Sequence, residues 1–166
     1  MKRMILATLL VVALASFAPF AVAQNGNAHF IKSATSASLS GSNLVCSFKE
    51  TGLASGSTEA VTCSATETVT YECVNNGGKN PSASNKTTTQ TQGSASGNFT
   101  ANKSGNIVGS LTLSPATASD VGFSCPSGQT VTFVSVVYSN VSVTDSTSGA
   151  TLAISGTFSF TNPLAP

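Results

Sequence analysis

The sequence predicts an all-β protein, an antiparallel β-sandwich of immunoglobulin-like or related topology. Stretches rich in Val, Thr, Phe and Tyr alternate, roughly every ten residues, with clusters of Gly, Asn, Ser and Pro, the punctuation of short strands and turns. No window of about eleven residues beyond the first 23 carries apolar side chains at helical spacing. Charge is scarce, 8% of the chain, so Ser, Thr and Asn must supply the wet faces. Eight or nine strands fit a chain of this size.

Taken in order, the chain opens with Lys2 and Arg3, an apolar run over 4–18, and small residues at Ala21 and Ala23. That is the layout of a secretory signal peptide cleaved after Ala23. The run is shorter than the roughly 20 residues of a spanning helix, and none like it follows, so no membrane span is expected. No cysteine just after the run offers a lipid site, and the tail "TFSFTNPLAP" has no terminal hydrophobic segment or prenylation motif. The expected location is secreted, extracellular. The expected organisation is residues 1–23 as signal peptide, 24–44 as an N-terminal segment able to hold a first strand, 45–160 as one sandwich domain, and 161–166 as a tail.

Cleavage also removes Arg3, the sole arginine, leaving Lys32, Lys49, Lys79, Lys86 and Lys103 against Glu50, Glu59, Glu67, Glu72, Asp120 and Asp145. A formal balance of 5 − 6 = −1 without basic clusters excludes nucleic acid as a partner.

"LVCSFKE" and "STEAVTCSA" flank the turn "TGLASG", and a hairpin register that sets Cys46 opposite Cys63 also sets Phe48 opposite Val61 and Leu44 opposite Ala65. A cross-strand Cys46–Cys63 disulfide is expected, which leaves Cys73 with Cys125; four cysteines in an exported chain read as two bridges. Zinc is disfavoured, because no close Cys-x-x-Cys pair occurs and His29 is remote from the cysteines in sequence.

"VTYEC" alternates Val69, Tyr71 and Cys73 with Thr70 and Glu72, so one face is expected to be wet. "SATSASLSGS" (33–42) and "TTTQTQGSASG" (87–97) read as exposed edges or loops. "KSGN" marks a turn before a strand with Leu111 and Leu113 inward. Farther on, Val143 opposite Leu152 and Val141 opposite Ile154 define a hairpin closed by "DSTSG". Val134, Val136 and Tyr138 are out of phase with Val141 and Val143, which requires a bulge or a change of sheet.

Cys73-x-Asn75-x-Gly77-Gly78-x-x-Pro81-x-Ala83-x-Asn85-Lys86, with "FSCPSGQ" and "VVYSNVSVTDSTSG", resembles an uncharacterised family of small secreted bacterial proteins over roughly residues 45 to 158. The resemblance implies the same compartment and fold, and recurrence of the cysteines matching Cys73 and Cys125, with Cys46 and Cys63 an addition. It implies no activity, ligand or catalytic residue.

No catalytic set is expected. General acid–base chemistry needs titratable groups brought together, and the mature chain offers one histidine, His29, with Glu50, Glu59, Glu67 and Glu72 mostly assigned to wet faces. No Gly-x-Ser-x-Gly elbow occurs. Asp145 in "DSTSG" reads as an Asx turn closed by Gly149 rather than a calcium ligand, and no metal or cofactor is expected. The candidate binding loop is Asn75, Asn76, Gly77, Gly78, Lys79 and Asn80, tethered by Cys73 and stiffened at Pro81. Nothing helical follows Lys86, so it is no phosphate cradle. The expected function is a non-catalytic binding or envelope-associated module whose partner is an extracellular protein or polysaccharide. Its rival is a secreted enzyme inhibitor, or an enzyme with an unrecognised site.

Overall fold

A computed structural model describes residues 27–75 and 85–165. The expected signal peptide, and Asn76 through Asn80 of the candidate loop, lie outside the described residues. Two antiparallel sheets pack face to face. The first is built around β3 (Asn43–Thr51), flanked on one side by β1 (His29–Phe30) and β2 (Ser36–Ser40) and on the other by β6 (Ile107–Leu113). A single 3-10 turn at Lys32–Ala34 separates β1 from β2. The second sheet has β4 (Thr58–Asn75) between β5 (Lys86–Thr100) and β7 (Gln129–Asp145); β8 (Thr151–Ile154) and β9 (Phe158–Thr161) pair with the far side of β7. Among the described residues no helix is long and apolar enough to cross a membrane.

Alternation builds the core. Leu44, Cys46 and Phe48 of β3 face Val61, Cys63, Ala65 and Val69 of β4 and Val136, Tyr138, Val141 and Val143 of β7, all essentially without solvent exposure. Phe48 meets Phe30 and Phe99 edge-on, with ring centroids 5.9 and 5.0 Å apart.

Both disulfides form as expected, Cys46–Cys63 and Cys73–Cys125, and fit a compartment outside the reducing cytoplasm. The hairpin that motivated the first is not there. β3 and β4 belong to different sheets, and the segment 52–57 carries the chain across the sandwich, so Cys46–Cys63 staples sheet to sheet with Cα atoms 6.3 Å apart. Two strands with inward residues at matching spacing satisfy the same arithmetic side by side or face to face. Here β4 already has β5 and β7 on its two edges.

The hairpin of β7 with β8 has the expected register, Val141 with Ile154 and Val143 with Leu152. The phase change in β7 is a bulge. Between Ser64/Ser142 and Thr66/Ser139 β7 spends one residue more than β4, and Asn140 takes φ 51° there, so Tyr138 and Val141 both point inward. A second bulge, at Val134, sets Phe133 beside Tyr71.

The sheets differ in reach. At about 3.3 Å per residue β4 runs about 60 Å and β3 about 30 Å. The overhanging half of β4 is covered instead by the segment 114–128, which Cys125 ties to Cys73 and where Phe123 stacks on Tyr71 at 6.4 Å. The stretch 87–97, expected as an edge or loop, lies within edge strand β5, its side chains alternating between exposed and half-buried.

Candidate functional site

The candidate loop joins β4 to β5 at the overhanging end. Asn75, its one described member, is exposed and closes the β4–β7 ladder against Gln129. Asn85 Nδ2 donates to Gln129 Oε1 at 3.0 Å from the other side of the loop. With Cys73–Cys125 two residues below Asn75, both strands entering the loop are pinned.

The expected catalytic poverty rested on carboxylates at wet faces, and that placement is wrong. Glu50, Glu59 and Asp145 are fully buried, and Glu67 and Glu72 are 1% exposed. Parity was the signal. Glu59 and Glu67 are in phase with Val61, Cys63, Ala65, Val69 and Tyr71; Glu50 is in phase with Leu44, Cys46 and Phe48; Asp145 is in phase with Val141 and Val143. Charge argued against reading them inward, and the fold decided otherwise. Glu72 sits on the outer face as expected but is covered there, with Lys86 Nζ 2.9 Å from its Oε2.

Three of these carboxylates meet at the end of the sandwich opposite the loop. Each has one oxygen held by a local donor. Ser148 Oγ donates to Glu50 Oε1 at 2.7 Å, Ser57 Oγ hydrogen-bonds Glu59 Oε1, and the amide of Thr147 donates to Asp145 Oδ1 at 2.8 Å. The last bond is the expected Asx turn, closed by Gly149 at φ 81°. The other oxygens, Glu50 Oε2, Glu59 Oε2 and Asp145 Oδ2, are buried without a donor. Burial, and then the neighbouring Asp145, pushes the Glu50 carboxyl up to about 7; Glu59 is raised chiefly by burial as well.

Glu67 stands apart, midway along β4, on the floor of an open groove of about 410 Å³ walled by β5 and the segment 113–120. Its Oε2 accepts the amide of Ala116 at 2.9 Å, and burial raises its pKa. Gly93 makes room for it, since a Cβ there would lie 1.8 Å from Glu67 Oε1. Asp120 is fully exposed and caps its own turn through Thr117, which lowers its pKa.

His29 is exposed on β1, with Nδ1 2.7 Å from the carbonyl of Asn27, and points away from the carboxylates. Tyr71 and Tyr138 are in the core as their phase implied, donating to the carbonyls of Ala116 and Ser42 at 2.6 and 2.9 Å. Neither ring is free to stack on a sugar. Among the described residues no group of three His, Cys, Asp or Glu side chains is arranged to hold a metal ion. No family model, curated protein or solved structure matches this chain.

Proposed function

We propose that the protein is a secreted, non-catalytic β-sandwich module that presents the corner Asn75–Asn80 to an extracellular protein or polysaccharide. The observation that carries this reading is the double fastening of the corner, by Cys73–Cys125 below it and by Asn85 with Gln129 across its base. A connection held at both ends on a long two-sided ribbon is what a binding loop on a rigid scaffold requires. The chemistry of the described surface agrees. The outer face of the larger sheet is a field of uncharged hydroxyls and amides linked in cross-strand pairs: Thr62 with Ser96, Thr70 with Thr88, Ser64 with Ser142, and Gln92 with Thr66. Of the carboxylates on the larger sheet, Glu72 lies on that face, covered and paired with Lys86, while Glu59, Glu67 and Asp145 are turned inward.

The test is capture by immobilised mature protein from culture fluid and envelope fractions of the producing cell, beside a Lys79→Ala/Asn80→Ala variant of equal melting temperature. The reading expects one enriched protein or polysaccharide, lost with the variant. No enrichment, or equal enrichment by the variant, counts against the corner as the binding element.

A further inference from the structure

We propose that Glu50 and Glu59 share protons with the neighbouring Asp145 in a buried carboxyl triad, a latch that holds the two sheets together at one end in acid and loosens that end as the two glutamates ionise.

The triad spans the sheet interface. Glu50 comes from β3 in the smaller sheet, Glu59 and Asp145 from β4 and β7 in the larger. Each carboxylate has one oxygen on a hydroxyl or amide donor and a second buried without one. The turn 146–150 gathers the three: Ser148 bonds Glu50, the Thr147 amide bonds Asp145, and the amide of Ala60, next to Glu59, donates to Thr147 Oγ1 at 3.1 Å, with Asp145 near enough to raise both glutamates. A carboxylate oxygen can only accept, so two of them in contact without a proton repel; one shared proton turns the same contact into a hydrogen bond. Three orphaned buried oxygens in one cluster are therefore explained together if the cluster carries protons.

Among the described residues no lysine or histidine is ion-paired with the triad. On β3, Lys49 points to the opposite face from Glu50; His29 on β1 is exposed, with Phe30 between it and the core; Lys103 is exposed in the turn 101–106. The residues paired with the triad members on β5 and β6 are Phe99 and Ile107, and the turn 146–150 brings only hydroxyls and amides. The ion pair found among the described residues, Lys86 with Glu72, lies toward the other end of β4. With three full charges the cluster would carry uncompensated repulsion in a buried site, a state a protein avoids by keeping protons on. Burial holds the Glu50 carboxyl up at about 7, so this member keeps its proton through mild acid.

Three connections close over this end, and they are what loosens. Ala101 donates to the Ser57 carbonyl at 2.8 Å and Gly56 to that of Ala101 at 3.0 Å; Leu53 donates to Gly105 at 3.1 Å; Ser146 donates to Ala60 at 3.0 Å. Pushing β3 away from β4 and β7 strains the chain crossings 52–57 and 101–106 that carry these bonds, and the Ser148–Glu50 bond that ties the turn 146–150 to β3, while Cys46–Cys63 restrains the sheets deeper in the core.

The experiment is amide hydrogen exchange, corrected for the intrinsic pH effect, on wild type and Glu50→Gln at about pH 5.5 and about pH 8.5, either side of the Glu50 value. We expect opening of 53–57, 101–106 and 146–150 to increase roughly tenfold or more at the higher pH, a single unit of differential protonation being worth that much. Protection beside Cys73–Cys125 should hold steady. Glu50→Gln, whose neutral amide replaces the protonated acid, should lose the pH response; if that variant does not fold, Glu59→Gln is read instead. Infrared spectra of wild type at the lower pH should contain the carbonyl band of a protonated buried carboxyl, absent from a Glu50→Gln/Glu59→Gln double variant. Equal opening at both pH values overturns the latch. So does a saturable restoration of protection at high pH by calcium chloride, which would make the missing positive charge a divalent cation.

Discussion

Gly109 shows how tightly single positions are determined. It faces Phe48 across the β3–β6 ladder, and a Cβ built on it would lie 2.3 Å from Cε1 of Phe99 and 2.9 Å from Cζ of Phe48. Those rings are wedged edge to face, so there is no flexible chain end to move aside. Gly109→Ala is expected to cost about 1–3 kcal/mol in urea unfolding at unchanged slope, the usual penalty of overpacking. Ser148 is a second such position. Its hydroxyl donates to Glu50 and lowers that carboxyl against the larger effect of burial. Ser148→Ala should therefore move Glu50 further above about 7, read by carbon NMR titration of the carboxyl. An unchanged or lower value would show that this bond does not act on Glu50. The residue scale was half legible: Asp145 was read correctly as an Asx-turn former, and the burial of its second oxygen without a donor, near two glutamates of other strands, had no local signature.

At the scale of elements, the two disulfides act differently. Cys73 and Cys125 are 52 residues apart, Cys46 and Cys63 only 17. Chain entropy alone assigns the longer loop about 4 kcal/mol and the shorter about 3. The longer bridge also fixes the segment 114–128 over the overhang of β4, so its loss should expose Tyr71 and Phe133 besides lowering the melting temperature. Thermal melts of Cys73→Ala/Cys125→Ala and Cys46→Ala/Cys63→Ala should rank in that order, and the reverse order would mean that the sheet-to-sheet staple dominates. β7 illustrates what periodicity can detect. The slip in its apolar phase was visible in sequence, but choosing a bulge at Asn140 over a change of sheet required knowing that β4 runs alongside it on both sides of the slip.

For the whole molecule, stability is set by burial rather than by charge pairs. Glu50, Glu59 and Glu67 all have folded values raised above 4.5. The folded state therefore binds more protons than the unfolded one between that value and the folded ones, and stability falls with rising pH in that window. For Glu50 the contribution is present below 4.5 and lost as pH passes about 7. Asp120 acts in the opposite sense, below its ordinary 3.8, but is fully exposed and weighs little. Chemical denaturation should thus give greater stability in mild acid than at about pH 8, the ordinary pattern of carboxylates stabilised by ion pairing being reversed. With one ion pair among the described residues, Lys86 being half-exposed, raising salt from about 0.01 to 0.15 M should leave the melting temperature nearly unchanged. A large rise with salt would indicate that the triad is ionised in the folded protein.

Local chemistry was enough to determine the all-β class, the strand-and-turn punctuation, the β7–β8 register and the turn at Asp145. Each depends on residues close in sequence whose side chains alternate or whose backbone closes on itself. The pairing of the four cysteines also came from sequence, though through a hairpin that does not exist, because inward residues at matched spacing meet whether their strands lie side by side or face to face. Only the tertiary structure decided which strands share a sheet, and with it that Glu50 would meet Glu59 and Asp145. Burial of a charge is a property of the neighbours that close over it, and those neighbours come from three strands that no local pattern connects.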